Sequence, residues 1–200
     1  MPTIAILYHS GFGHTEAVAR SVRDGIARIE GVEPVLVRAA ELPDPDPDQG
    51  LGAEWEVLHD ADMIVFGCPT YMGTVSAPFK RVMDATSPLW FKQGWRDKLA
   101  AGFTNAGGLS GDKLNTLTTL TVFAAQHSMI WVTQGIFMGE GGINRMGAWL
   151  GLMTQSGNAS PEVTPPEEDH ETARRFGERL AHATLRWHAG APAAMPELGD

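Results

Sequence analysis

Short apolar segments alternate along the chain with longer segments that have helical periodicity. The apolar segments carry few charges and are rich in aliphatic and β-branched residues, which is typical of strands buried on both faces inside a parallel sheet. We predict five strands, at residues 3–8, 34–39, 62–69, the first part of 98–108, and 129–135.

The segments between the strands place apolar residues at every third or fourth position, as in a helix with one buried face. Val18, Val22 and Ile26 form such a face, and Gly31 is placed to end that helix. We predict helices at residues 14–30, 53–60, 76–85, 112–127 and 166–188. Residues 41–50 are predicted as a Pro/Asp loop and residues 136–165 as an irregular excursion.

Strands that alternate with helices predict an α/β fold in which a parallel sheet carries helices on both faces. With five strands, the expected architecture is a flavodoxin-like three-layer sandwich with strand order 2-1-3-4-5. No repeat divides the chain, so we predict one domain over residues 1–190 and a flexible tail over residues 191–200. In such sheets, ligands bind beyond the carboxyl ends of the strands. Here those ends lead into residues 9–15, 69–75 and 104–111.

The composition narrows the classes of function. A formal charge of −9 and a pI near 5.2 disfavour a nucleic-acid-binding protein. The one cysteine, Cys68, excludes an internal disulfide, and no apolar run approaches the roughly 18–20 residues that span a bilayer. The seven histidines show no metal-ligand spacing. We therefore expect a cytoplasmic protein without a metal site and without membrane insertion.

The first loop has the composition of a phosphate-binding turn. Ser10 and Thr15 supply hydroxyl donors, and Gly11 and Gly13 let the backbone turn so that its N–H groups point inward. The positive end of the following helix adds to the attraction for an anion. A tight strand–helix turn without a ligand is the alternative.

Three other phosphate chemistries fit this loop less well. A P-loop needs a lysine after its last glycine, but Gly13 is followed by His14. A dinucleotide site needs a third glycine and an acidic residue at the end of strand two, where this chain has Arg38. A phospho-acceptor domain needs carboxylates where this chain has Ser10 and Cys68. A terminal monophosphate that is held and not cleaved is the ligand that remains.

The second and third loops provide room for a planar group. Pro69 fixes a corner, Thr70 offers a hydroxyl, and Tyr71 offers a ring on which a flat ligand can stack, beside the backbone of Met72 and Gly73. Residues 104–111 read TNAGGLSG and can direct backbone N–H groups at a ring carbonyl. A simple turn is again the alternative for each loop.

Four segments in this order carry a family resemblance: YHSGFGHTEA, PTYMGTVSAPFKRVMDAT…LW, KLAAGFTNAG…GDKLNTL and QHSMIWV. Over residues 3–187 the chain resembles the WrbA-like NAD(P)H:quinone oxidoreductases, which are flavodoxin-fold proteins that bind FMN. The resemblance implies a homotetramer or homodimer in which FMN passes two electrons from NAD(P)H to a quinone or a related small acceptor. A flavodoxin-type electron carrier without a substrate of its own is the alternative.

The resemblance also implies roles for single residues. The first loop would hold the FMN phosphate, the second would run along the isoalloxazine, and the third would lie near its pyrimidine edge. Trp90 matches an aromatic residue that lines the substrate cavity. His127 lies in a segment with two adjacent histidines in the family, one of which contacts the flavin, where this chain has Gln126 and His127. The residues predicted to bind FMN are Ser10, Gly11, Phe12, Gly13, His14, Thr15, Pro69, Thr70, Tyr71, Met72, Gly73, Asn105, Ala106, Gly107, Gly108, Leu109, Ser110 and His127.

Overall fold

A computed structural model describes residues 1–46 and 50–190, so the predicted tail at 191–200 lies outside the described residues. Its sheet is built from short strands with few charges, as their apolar sequences predict. The strands are β1 (Thr3–Tyr8), β2 (Glu33–Arg38), β3 (Met63–Tyr71), β4 (Thr74–Val75), β5 (Leu99–Ala106), β6 (Ile130–Trp131) and β7 (Leu152–Gln155).

The parallel strands are arranged in the order β2-β1-β3-β5-β6, which is the predicted order of five strands. The numbers differ from the prediction because β4 is a short antiparallel strand that pairs with the end of β3. Pro69 is aligned with Asn105 across β3 and β5. This register places the second and third loops side by side at the carboxyl edge.

The fifth position of the sheet is occupied by two strands. The prediction of one strand at 129–135 is corrected, because β6 has only two residues and pairs with Leu99 and Ala100. Strand β7, which lies in the segment predicted as irregular, pairs in parallel with Phe103 through Ala106. Residues 133–151 therefore interrupt the fifth strand, and β7 resumes it along the same neighbour.

Helices cover both faces of the sheet. They are α1 (His14–Ala27), α2 (Glu56–Asp60), α3 (Ala77–Ala85), α4 (Ser87–Phe91), α5 (Lys113–Gln126) and α6 (Glu167–Gly190). Helix α4 is an element that the apolar pattern does not predict. One buried cluster joins β1, β3 and β5 to α1 and α6, and a second joins the opposite face to α2, α3 and α5. Among the described residues, no helix combines the length and apolar character needed to cross a bilayer.

Helices α1 and α6 approach each other at two glycines. A Cβ on Gly25 would lie 1.9 Å from the carbonyl oxygen of Arg174, and a Cβ on Gly177 would lie 2.2 Å from that of Val22. Neither distance leaves room for a side chain. This close contact fixes α6, and with it the segment before α6 that passes over the first loop.

Candidate cofactor site

The two glycines of the first loop lie in confined space, and the backbone at Gly13 also favours glycine. Gly13 precedes α1 with φ of +89°, a conformation that strains any residue with a side chain. A Cβ at Gly13 would also lie 2.8 Å from the ring of Pro161, and one at Gly11 would lie 2.7 Å from the hydroxyl of Tyr71. The loop is therefore confined between the second loop and the segment that precedes α6.

The hydroxyl of Ser10 is the clearest sign of a ligand in this loop. Its Oγ is buried and has no hydrogen-bond partner within the described chain. Thr15, in the first turn of α1, is also buried, with 2% of its surface exposed. A buried hydroxyl without a partner costs free energy, and a phosphate oxygen at the positive end of α1 would remove that cost. The residues present thus fit a phosphate group.

Arg38, the cationic residue at the end of β2, is already hydrogen-bonded to other groups of the protein. Arg38 donates hydrogen bonds to the hydroxyl of Tyr8 (3.0 Å) and to the carboxylate of Glu16 (2.7 Å). Burial tends to raise the pKa of Glu16, but the hydrogen bond from Arg20 and the charge of Arg38 hold that pKa below its usual value. Arg38 is therefore paired within the protein, in agreement with a monophosphate site and not a dinucleotide site.

The second loop is a tight hairpin that presents apolar side chains. Met72 and Gly73 have φ of +48° and +81°, which is the backbone of a two-residue turn between β3 and β4. The side chain of Met72 is fully exposed, and Tyr71 is partly exposed. The ring of Phe12 meets the Tyr71 ring edge to face, with centroids 6.4 Å apart. Phe12 of the first loop and Tyr71 and Met72 of the second thus present an exposed, largely apolar surface at this edge, here called the apolar wall.

Two of the residues predicted to contact the ligand form side-chain hydrogen bonds within the protein. The hydroxyl of Thr70 lies 2.8 Å from the hydroxyls of both Thr104 and Thr116. The side chain of Asn105 donates to Ser156 Oγ (2.9 Å) and accepts from Thr154 Oγ1 (2.9 Å). Thr70 and Asn105 therefore position the second and third loops through their side chains. Ser156 and Thr154 had no sequence signal, because they lie in the excursion that shows no regular pattern.

A partly buried chain of polar groups joins the first and second loops. His9 Nδ1 lies 2.8 Å from Ser76 Oγ, and the backbone N–H of Ser76 donates to Cys68 Sγ at 3.2 Å. Burial raises the pKa of Cys68 to about 11 and lowers the pKa of His9. Both groups are therefore neutral near pH 7, and Cys68 is a thiol with little nucleophilic character.

The structure does not bring Trp90 and His127 to this edge of the sheet. His127 directly follows α5, which starts at the carboxyl edge and is about 21 Å long. The His127 ring is 1% exposed, packs 4.7 Å from the ring of Trp95, and has Nε2 2.9 Å from Thr86 Oγ1. Trp90 lies on α4 at the same far end. Within one chain, neither residue lies beside the three loops.

A parallel sheet in this order, with a phosphate-type loop after its first strand and two open loops beside it, defines a flavodoxin-like flavoprotein. The chain belongs to the family of NADPH-dependent FMN reductases, whose pattern matches residues 4–142. It is also 35% identical over 195 residues to flavodoxin FldP of Pseudomonas aeruginosa (strain UCBPP-PA14), covering 94% of this chain and 100% of that protein.

Solved structures agree with this membership. A WrbA-like flavodoxin from Agrobacterium tumefaciens is 35% identical, with a TM-score of 0.69 over 93% of this chain and 99% of that one. A Fusobacterium nucleatum flavodoxin bound to FMN shares the fold at 13% identity, with a TM-score of 0.62 over 92% of this chain and 99% of that one. The predicted fold class, the WrbA-like resemblance, and FMN with NAD(P)H as donor are thereby confirmed, and the family's description specifies NADPH.

Proposed function

We propose that this FMN-dependent oxidoreductase transfers two electrons from NADPH to a quinone or a related flat, apolar acceptor. The observation that supports this proposal most strongly is the apolar surface at the carboxyl edge. Phe12 and Leu109 are largely exposed there and Met72 is fully exposed, one from each of the three loops. Apolar side chains grouped around a site favour a flat, uncharged ligand.

Different residues of this edge would bind different parts of FMN. Ser10, Thr15 and the first N–H groups of α1 would hold the phosphate, and the Tyr71 ring would lie along the flavin. Backbone N–H groups of the third loop would donate to a ring carbonyl. When bound, FMN supplies the two-electron chemistry. The apolar side chains of the three loops would exclude water and orient the acceptor.

The kinetic test of this proposal uses the FMN-loaded protein. We expect benzoquinone to raise the rate of NADPH oxidation well above the rate in buffer alone. Because one open face must receive donor and acceptor in turn, double-reciprocal plots at several quinone concentrations should be parallel. Bound FMN without turnover by NADPH or NADH would overturn the proposal.

A matched pair of variants tests the location of the acceptor. Met72→Glu places a charge in the apolar wall, so we expect kcat/KM for benzoquinone to fall about tenfold, which corresponds to roughly 1.4 kcal/mol. Phe137→Glu makes a similar change on an exposed side chain in the excursion, and it should leave kcat/KM unchanged. Equal losses in both variants would contradict this location.

An electron carrier is the second candidate. A curated relative that this chain matches over the relative's whole length is named a flavodoxin. A carrier exchanges electrons with proteins and needs no quinone pocket. Turnover with benzoquinone separates the two candidates, since a carrier would accept electrons from a reductase yet show no saturable quinone dependence.

We also propose that the enzyme is a homodimer or homotetramer. Trp90 is exposed at the far end of the sheet, so it can line a substrate cavity only at the site of a second copy. His127 is buried and would need a rearrangement to do the same. Sedimentation analysis of the FMN-loaded protein tests this assembly, and a monomer at micromolar concentration would exclude it.

A further inference from the structure

A lysine is buried beneath the third loop without a carboxylate beside it. Lys113 is 1% exposed. Its Nζ donates to the carbonyl oxygens of Thr154 (2.9 Å) and Gly108 (3.3 Å) and lies 3.5 Å from Met146 Sδ. In the part of the chain that the structure describes, no carboxylate comes within ion-pair distance of this ammonium group.

Two features of its position disfavour the positive charge of Lys113. It is the first residue of α5, where the helix already carries partial positive charge. Burial lowers the pKa of Lys113 to about 8; the charge of Asp169 opposes this effect and the charge of Arg145 adds to it. Arg145 and Asp169 bind each other through two hydrogen bonds of 2.6 and 2.8 Å. The Lys113 charge is therefore left without a close counter-ion.

The contact with Gly108 also orients the third loop. The carbonyl of Gly108 points at Nζ, and in a planar trans peptide the next N–H points the opposite way. That N–H belongs to Leu109, whose side chain is exposed at the carboxyl edge. Lys113 thus holds a backbone donor away from the protein interior, on the loop that lies next to the second loop.

We propose that Lys113 is a positioning residue that stabilises the negative charge gained by the cofactor on reduction. A hydride from NADPH would bring two electrons and one proton to bound FMN and leave NADP⁺, so the ring would gain one negative charge. The Leu109 N–H and the nearby ammonium group both favour that charge. The proposal rests on the FMN site described above but does not depend on which molecule accepts the electrons.

The first test measures the midpoint potential of bound FMN at pH 7. Lys113→Met removes the charge and the donor, whereas Lys113→Gln keeps a donor without the charge. We expect either change to weaken binding of reduced FMN at least tenfold relative to oxidised FMN, which lowers the potential by about 30 mV. A potential equal to that of the wild type in both variants would overturn the proposal.

Lys98→Met is the matched control. Lys98 is a second lysine whose pKa is lowered by burial, and its Nζ donates to the carbonyl of Ala61 at 2.6 Å. It precedes β5 and so lies at the amino ends of the strands. We expect its loss to leave the FMN potential unchanged. An equal shift in this variant would mean that general destabilisation, and not the position of the charge, causes the effect.

The second test needs no change in the wild-type protein. Above about pH 8 Lys113 loses its proton in the oxidised protein, so reduction must take up one extra proton and the potential should fall more steeply with pH. Asp169 and Arg145, the charged groups that face Lys113, are held in an ion pair with each other. Lys113→Met should lack the extra slope, and identical slopes would overturn the proposal.

These measurements separate the two proposals. A shifted potential in a protein that does not reduce benzoquinone would retain the role of Lys113 and reject the quinone acceptor. Normal quinone turnover with an unshifted potential would do the reverse. Nitrogen-15 NMR of lysine side chains in the FMN-free protein adds a readout that does not use the cofactor, since Lys113 should titrate near pH 8. A Lys113 resonance that titrates near 10.4, as an ordinary lysine does, would count against the proposal.

Discussion

Buried polar atoms in the three loops differ in what they contact. Thr70 and Asn105 have their side-chain hydrogen bonds satisfied by neighbouring strands and α5. Ser10 Oγ is buried in the same region without a partner. Residue type alone does not separate these roles, because all three are small polar residues at the ends of strands. The unsatisfied hydroxyl is the atom that we expect to meet the phosphate.

Ser10→Ala tests this assignment. The variant should bind FMN about 10- to 100-fold more weakly, because a hydrogen bond to a charged group contributes about 1.5–3 kcal/mol. Its free energy of unfolding without FMN should not fall, since the lost hydroxyl makes no bond within the described protein. Fluorescence titration and urea denaturation measure the two quantities.

Ser21→Ala is a useful contrast on the same helix. Ser21 Oγ contacts both the Ala17 carbonyl (3.2 Å) and His170 Nδ1 (2.8 Å). Its removal should lower the free energy of unfolding by about 1 kcal/mol and leave FMN affinity nearly unchanged. If Ser10→Ala behaved like Ser21→Ala, Ser10 would be a structural residue.

Among the elements, α6 holds in place the segment that covers the first loop. Its glycine contact with α1 holds the helix close to that neighbour. The segment just before α6 places the Pro161 ring against Gly13 and the carbonyl of Ala159 2.7 Å from His14 Nε2. A displacement of α6 should therefore also loosen the phosphate loop.

Gly177→Ala should destabilise the protein by about 3 kcal/mol or more, because the added Cβ would overlap the backbone of α1. FMN affinity should fall as well, through the loosened segment before α6. Gly190→Ala is the control, since a Cβ there meets nothing within 4 Å. Urea unfolding of both variants measures the difference, and equal stability would contradict the close contact.

The stability of the whole molecule is linked to pH through histidines that burial keeps neutral. Burial lowers the pKa of His127 to about 4, and it also lowers those of His9 and His170. Between pH 6.5 and 4 the unfolded chain binds a proton at His127 that the folded protein does not. The free energy of unfolding must therefore fall as the pH decreases through this range.

His127→Gln should reduce this pH dependence. The wild type should lose up to about 3 kcal/mol through His127 between pH 6.5 and 4, at 1.36 kcal/mol for each unit of pKa shift. The variant should lack that contribution, whatever its stability at pH 7. Urea denaturation at several pH values measures the slope. An unchanged slope would mean that His127 is not held neutral by the fold.

Local pattern was sufficient to predict the strand order and to bring the three candidate loops to one edge of the sheet. Apolar runs and helical periodicity are properties of neighbouring residues, and parallel strands bring their carboxyl ends to one edge whatever the details. For the same reason the glycines and hydroxyls of residues 10–15 could be interpreted directly. FMN followed from those loops together with the family resemblance.

Tertiary structure alone decided which polar groups remain free and what completes the sheet. Strand β7 continues the fifth strand only because it pairs with β5 about fifty residues away. His127 lies far from the loops because of the length of α5, and Lys113 is buried because segments distant in sequence enclose it. Contacts between residues that are remote in sequence produce no periodic pattern along the chain. These features could therefore not be predicted from the sequence.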